Sequence, residues 1–197
     1  PKTDAVLVSD SSSDIFSRQL DFSKFGILYA GAQKNMGPAG TTLVVVKEEL
    51  LGRITHKIPS MLDYALHASK DSMFNTPPVF AVYTSMLTLD WLQKLGGIKA
   101  IEKKNNAKAD LMYGEIDRNP LFKGFAAVED RSMMNATFTL EETKLKERFD
   151  SMCEDALISG INGHRSVGGY RASMYNALPL YSVQTLVDVM NELERTA

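Results

Sequence analysis

The chain has 197 residues, of which 44% are hydrophobic and 23% charged, the balance of an ordinary folded protein rather than a disordered or fibrous one. Lys and Arg number 22 against 24 Asp and Glu, a net charge of -2, so no overall field draws the chain to nucleic acid or to an anionic membrane. One cysteine, Cys153, excludes an intramolecular disulfide framework, and His56, His67 and His164 lack zinc-ligand spacing, so the expectation is a reducing compartment, the cytoplasm, and no metal.

The N-terminus, Pro1-Lys2-Thr3-Asp4, has neither a signal peptide's regions nor an initiating Met, and reads as a start part-way along a longer chain. No apolar run approaches the roughly 20 residues that span a bilayer. Three short apolar runs follow, Ala5–Val8, Phe25–Tyr29 and Thr41–Val46. They are continuous rather than alternating, which predicts strands buried on both faces of a central layer. Between the second and third lies AGAQKNMGPAG, with three glycines and a proline, a loop at the edge of a sheet.

Thr76 ahead of Pro77-Pro78 predicts an N-cap, followed by a helix with Phe80, Tyr83, Leu87, Trp91 and Leu95 at helical spacing, ended by Gly96-Gly97. A second helix carries Ile98, Ile101, Leu111 and Ile116 on its apolar face and Lys99, Lys103, Lys104 and Lys108 on its wet face. Beyond it, Met133–Leu140 is strand-like, Leu145–Ile158 helical, Ser173–Ala177 extended and Val183–Leu193 helical, the pattern of a smaller α+β unit. The glycine pair is the clearest break, dividing the chain into 1–97 and 98–197.

Three constellations could carry chemistry. Asp10 ends the first strand and Lys34 lies in the loop after the second, and ligand sites of open α/β sheets gather beyond strand carboxyl ends. A lysine amine can form a Schiff base and a carboxylate can keep a pyridine nitrogen protonated, which together describe a pyridoxal phosphate site. A capping Asp and a surface Lys are the alternative this spacing leaves open. Asn75-Thr76 could offer an amide, a hydroxyl and helix-start N–H groups to a phosphate, or simply cap the helix. In GHRSVGGYRAS, Arg165 and Arg171 flank a glycine turn with His164 beside them, fit to grip two anionic groups, or equally to form a surface salt-bridge loop. Ser11, Ser12 and Ser13 lack the GxSxG elbow of a serine hydrolase, and Cys153, between Phe149, Met152 and Ala156, reads as core-lining.

In this order, the segments VLVSDSSSDIFSRQLDFSKFGILYAGAQKNMGPAG, SMFNTPPVFAVY and NGHRSVGGYRASMYNALP resemble the phosphoserine aminotransferases, pyridoxal phosphate enzymes of fold-type I and class V. The resemblance implies an α/β fold, with 1–97 the C-terminal part of a large cofactor domain built on a mostly parallel sheet and 98–197 a small C-terminal α+β domain. It also implies pyridoxal 5'-phosphate as cofactor, Lys34 as the Schiff-base lysine and proton carrier, Asp10 on the pyridinium nitrogen and Gln33 on the cofactor phosphate. Asn75 and Thr76 match the pair that reaches the phosphate of the neighbouring subunit's cofactor, implying a homodimer with composite sites. His164 and Arg165 match the holders of the substrate phosphate or of glutamate's distal carboxylate, and Arg171 the grip on the α-carboxylate. The implied reaction takes an amino group from L-glutamate to 3-phosphohydroxypyruvate in L-serine biosynthesis. In many bacteria the family also serves pyridoxine biosynthesis. Members are about twice as long. Their front half carries an aromatic that stacks on the cofactor, a glycine-led phosphate cup and a further arginine, so this chain alone is expected to be a catalytically incomplete scaffold with little or no turnover and with strand edges open to association.

Overall fold

The computed structural model describes residues 3–197, so the reading of Pro1 and Lys2 lies outside the described residues. The chain divides into two compact units, Pro1–Ile98 and Lys99–Ala197. No helix among the described residues is long and apolar enough to cross a membrane.

In the first unit, β1 (Val8–Asp10), β2 (Ile27–Gly31) and β3 (Thr42–Val46) form a sheet in that order, with β1 parallel and β3 antiparallel to β2. The first strand lies later than the apolar run suggests. Ladder bonds are backbone bonds, indifferent to the polarity of Ser9 and Asp10, and the register pairs Val8 with Ile27 and Asp10 with Tyr29. Burial on both faces is not what the structure shows. Along β2 only Leu28 and Ala30 are buried, and Val8 of β1 is 60% exposed. Successive strand residues face opposite ways, so the cluster of Leu28 and Ala30 with Ile15, Ala32 and Met36 covers one face of β2 only.

A short helix, α1 (Tyr64–Ser69), is capped by Asp63, whose carboxylate accepts the N–H groups of Ala65 and Leu66. The longer α2 (Val79–Lys94) corrects two expectations. Its cap position is Pro78, with no side-chain cap bond, so Thr76 does not cap it. Two prolines stand between Thr76 and the first turn and leave its hydroxyl too early in the chain to serve the free N–H groups. The second correction is which face of α2 packs. Phe80 is 76% and Tyr83 56% exposed, and the buried residues are Ala81, Ser85 and Leu92. Small residues face the glycine loop because backbone must pass close by. A Cβ at Gly37 would sit 2.8 Å from Ser85 Oγ and 3.1 Å from Ser85 Cα. The helix stops where Gly96 and Gly97 take φ of 109° and 70°, the left-handed region open to glycine.

The second unit holds the rest of α3 (Gly97–Arg118), then β4 (Phe122–Gly124), β5 (Asn135–Leu140), α4 (Lys146–Asp155), β6 (Tyr170–Ser173) and α5 (Leu180–Thr196). Its three strands run antiparallel in the order β4-β5-β6. Phe122, Phe138, Phe149 and Tyr170 pack against one another in the core, with Phe138 stacked on Tyr170 and Phe149 edge-on to Tyr170 at 4.9 Å between centroids. Cys153 is buried there, and burial pushes its thiol up to about 11. The last strand meets the predicted extended stretch only at Ser173, since Tyr170–Ser173, rather than the residues up to Ala177, find ladder partners on β5.

Lys108 also departs from its predicted place on the wet face of α3. It is 1% exposed and donates to the carbonyls of Met174 at 2.9 Å and Tyr175 at 2.8 Å. A four-carbon stem lets a lysine cover apolar surface while its amine reaches a distant acceptor, here a pair of carbonyls just past β6. With no carboxylate beside it, desolvation lowers its pKa to about 8.

Candidate active site

The parallel pairing of β1 and β2 brings their carboxyl ends, and the loops that follow, to one end of the first sheet. After β1 the chain turns through Ser11–Ser17. Ser11 N–H donates to Tyr29 O at 2.8 Å and Ser12 Oγ accepts the Gly31 N–H at 2.9 Å, so the two loops are tied at their roots. After β2 the chain makes one helix-like turn, with the N–H groups of Met36 and Gly37 both donating to Ala32 O. That turn carries Gln33, Lys34 and Asn35.

Asp10 is exposed at the end of β1 and accepts the Ser12 N–H at 3.0 Å. The Ser12 hydroxyl above all, then the Ser12 N–H, hold its carboxyl below the usual carboxylate range, outweighing slight desolvation, and the Tyr29 phenol and the Lys34 charge add to the effect. Tyr29 is the cross-strand partner of Asp10, and that negative charge raises the phenol's pKa. Lys34 is half-buried and donates from Nζ to Ser13 Oγ at 2.6 Å. Asp10 and Lys34, paired from the sequence, are thus within electrostatic reach of one another. The exposed Gln33 side chain folds back over its own loop, where a Cβ at Gly31 would meet its Oε1 at 2.5 Å.

The other predicted residues belong to two further segments of the chain. Asn75 and Thr76 are exposed ahead of Pro77-Pro78, and the Asn75 amide donates to Thr76 O at 3.1 Å. In the second unit, His164, Arg165 and Arg171 belong to a tight loop and the strand that follows. The loop closes through Gly163 N–H to Gly169 O at 2.9 Å, and a Cβ at Gly163 would overlap Gly168 O at 2.1 Å. His164 Nδ1 accepts the Ser166 N–H at 3.3 Å and lies 2.7 Å from Ser166 Oγ. Of the eight arginines, Arg165 and Arg171 are the two whose guanidinium makes no hydrogen bond or ion pair among the described residues, leaving both forks open to an anion. Arg171 borders two cavities, of about 410 and 230 Å³, the smaller also lined by His164. No group of acidic, His or Cys side chains among the described residues could hold a metal ion.

Sequence reasoning missed Ser12, Ser13, Asn35 and Tyr29. The serine run lacks a nucleophile's elbow, but nucleophilic attack is not the only use of a hydroxyl. The run's position just past a strand end, one loop away from a lysine, was the signal for polar partners of Asp10 and Lys34.

The model of the class-V aminotransferase family matches residues 1–186. The phosphoserine aminotransferase of Flavobacterium johnsoniae is 68% identical over 98% of this chain and 54% of its own length, so this chain spans about half the length of the curated relatives it matches. The solved structure of the phosphoserine aminotransferase of Bacillus circulans subsp. alkalophilus superposes with a TM-score of 0.93 at 41% identity, covering 98% of this chain and 54% of that one. The pyridoxal-phosphate-bound phosphoserine aminotransferase of Trichomonas vaginalis does so with 0.90 at 35% identity, over 97% and 55% of the two chains. The architecture is the α/β fold of the fold-type I aminotransferases. With its glycine-bounded lysine turn beside an ionised strand-end aspartate, and a family match that runs through both units, this chain belongs to the class-V aminotransferase family.

Proposed function

We propose that the protein acts as a cytoplasmic phosphoserine aminotransferase dependent on pyridoxal 5'-phosphate. The amino group of L-glutamate passes to 3-phosphohydroxypyruvate, giving 2-oxoglutarate and O-phospho-L-serine, a step of L-serine biosynthesis. On this reading, 1–97 is the C-terminal part of the cofactor domain and 98–197 the small domain. The observation that carries it is the pairing at the sheet's end of an ionised, solvent-open Asp10 with a Lys34 amine held by a hydroxyl rather than by a carboxylate. That donor set fits the cofactor, whose cationic ring nitrogen needs an anion and whose aldehyde needs an amine that can lose its proton.

When bound, pyridoxal phosphate supplies a carbonyl that takes up the amino group and a ring that delocalises the electron pair left on the substrate carbon. Asp10 keeps the proton on the ring nitrogen by its opposite charge. Lys34 carries a proton at Nζ to and from the substrate carbon once its amine is free. Gln33 contacts the cofactor phosphate, and Asn75 and Thr76 contact that of a neighbouring subunit in a homodimer. Arg171 orients the α-carboxylate, while Arg165 and His164 take the substrate phosphate or the distal carboxylate of glutamate. Their open forks support this assignment, since a guanidinium already paired would first have to give up its partner.

The test is an absorbance spectrum of the protein with added pyridoxal phosphate, followed by borohydride reduction and peptide mapping. The expected result is a single modified lysine, Lys34, and no turnover from Lys34→Ala with glutamate and phosphohydroxypyruvate. A modified lysine elsewhere, or full turnover by Lys34→Ala, overturns the reading. Arg165→Ala is expected to lose phosphorylated acceptors selectively; equal use of phosphorylated and unphosphorylated acceptors removes the phosphate-specific part. A second reading, a catalytically incomplete scaffold of the same enzyme, draws support from the half-length coverage and from the exposed apolar face of α2. Robust turnover by a rigorously defined 197-residue chain overturns it.

A further inference from the structure

We infer that Ser13 is a positioning residue for Lys34: its hydroxyl is the docking partner of the Lys34 amine whenever that amine is not bonded to the cofactor, and Asn35 fixes the distance between them. The inference rests on the proposed role of Lys34 as the lysine that bonds to the cofactor.

The partners of the other lysines set Lys34 apart. Lys24, Lys94, Lys144 and Lys146 pair with carboxylates, and Lys108 donates to two carbonyls. Each of those partners can only accept. A carboxylate also stabilises the ammonium and so opposes loss of its proton. Lys34 is the one lysine among the described residues that donates to a hydroxyl, at 2.6 Å. A hydroxyl accepts from an ammonium and donates to a neutral amine, so the contact survives both protonation states without favouring one by charge. That is what a lysine needs when it must take up and release a proton at one place.

The reach is set by the next residue. Asn35 is 4% exposed, and its Nδ2 donates to Ile15 O at 3.0 Å and, at a longer 3.4 Å, to Ser13 O. The buried amide therefore ties the turn that carries Lys34 to the loop that carries Ser13, one residue from the lysine on one side and at the serine itself on the other. Asn35 closes the AGAQKN run, in which only Gln33 and Lys34 had a proposed role. Holding an amine near its point of attack replaces a search through lysine rotamers, an advantage of proximity rather than of charge.

The test compares Ser13→Thr with Ser13→Val, two side chains of nearly equal shape that differ in the hydroxyl, alongside Ser13→Ala. None removes the Ser13 carbonyl that Asn35 uses. The readout is the time course of pyridoxal phosphate capture by the cofactor-free protein, stopped with borohydride and quantified at Lys34 by peptide mapping. Ser13→Thr is expected to match the unsubstituted protein within about twofold, with Ser13→Val and Ser13→Ala slower by roughly tenfold, at unchanged melting temperature. Equal capture rates for the Thr and Val variants overturn the inference. Slowing in Val and Ala that tracks a lower melting temperature also overturns it, because a packing role suffices. If the unsubstituted protein gives no adduct at Lys34, the proposed function itself fails, and the two failures are told apart by that control.

Discussion

The two units of this chain bury their apolar side chains to different degrees. In the second, the aromatic cluster of Phe122, Phe138, Phe149 and Tyr170 joins Met112, Ile116, Val187, Met190 and Leu193 in one continuous core under a three-stranded antiparallel sheet. In the first, the buried cluster is Ile15, Leu28, Ala30, Ala32 and Met36, while Phe80, Tyr83, Met86 and Leu87 of α2 stay exposed. The residues with the clearest chemistry, Asp10 and Lys34, lie in the unit with the smaller core. Hydrophobic stabilisation scales with the apolar area removed from water, so the second unit holds itself together while the first leaves much of its apolar surface unused.

The sharpest way to break this contrast is Phe149→Ala. Phe149 is fully buried, 5.2 Å from Phe122 and 4.9 Å from Tyr170 between ring centroids, and its truncation is expected to cost about 3–5 kcal/mol in urea unfolding. A cost below about 1 kcal/mol would show that the cluster collapses around the void.

Next in size is the pH dependence that Lys108 imposes. Its folded pKa, about 8, lies below the 10.5 of an unfolded lysine, so between those values the unfolded chain binds the proton more readily. The contribution of Lys108 to stability therefore rises as pH climbs from about 8 to 10.5, by roughly 3 kcal/mol over the window. Cys153, raised from 9.0 to about 11, acts in the opposite sense above pH 9, so the measurement is the difference between the unsubstituted protein and Lys108→Met. A flat difference curve would mean that water reaches the amine.

In the loop of His164 and Arg165, Gly163→Ala drives a Cβ into Gly168 O and is expected to destabilise the second unit by about 1–3 kcal/mol, read as a lower urea midpoint. The smallest effect is expected on α2. Phe80→Glu together with Tyr83→Glu should change unfolding free energy by no more than about 0.5 kcal/mol each while lowering self-association in sedimentation. Substantial destabilisation there would show that the exposed face is packed in solution, which would narrow the contrast between the units.

Much of this was readable in the residues themselves. The glycine pair that ends α2, the amphipathic period of α5 and the burial of Cys153 followed from local pattern, because backbone freedom and helical periodicity are properties of neighbours in sequence. Asp10 and Lys34 could be paired because both follow strands, and parallel strands deliver their ends to the same side. The position of the serine run signals polar partners for Lys34, but not that Ser13 is the one that holds its amine. A hydrogen bond across 21 residues depends on how two loops lie over each other, which no spacing rule encodes. Thr76 looked like a cap because the residue type was right, yet two prolines displaced the first turn.

Local pattern thus placed α2, α3, α4 and α5, the loop chemistry and the motif set that resembles one family, whereas β1 and β6 were displaced and α1 and β4 left no signal. The tertiary structure decided which face of each element is buried. Phe80 and Tyr83 have the spacing of a core stripe but remain in solvent, since only the small side chains of α2 let it approach the glycine loop. Lys108 has the spacing of a solvated stripe but is buried, since two carbonyls past β6 stand where its amine can reach them. Periodicity says which residues share a side of a helix; what that side meets is set by partners far away in the chain.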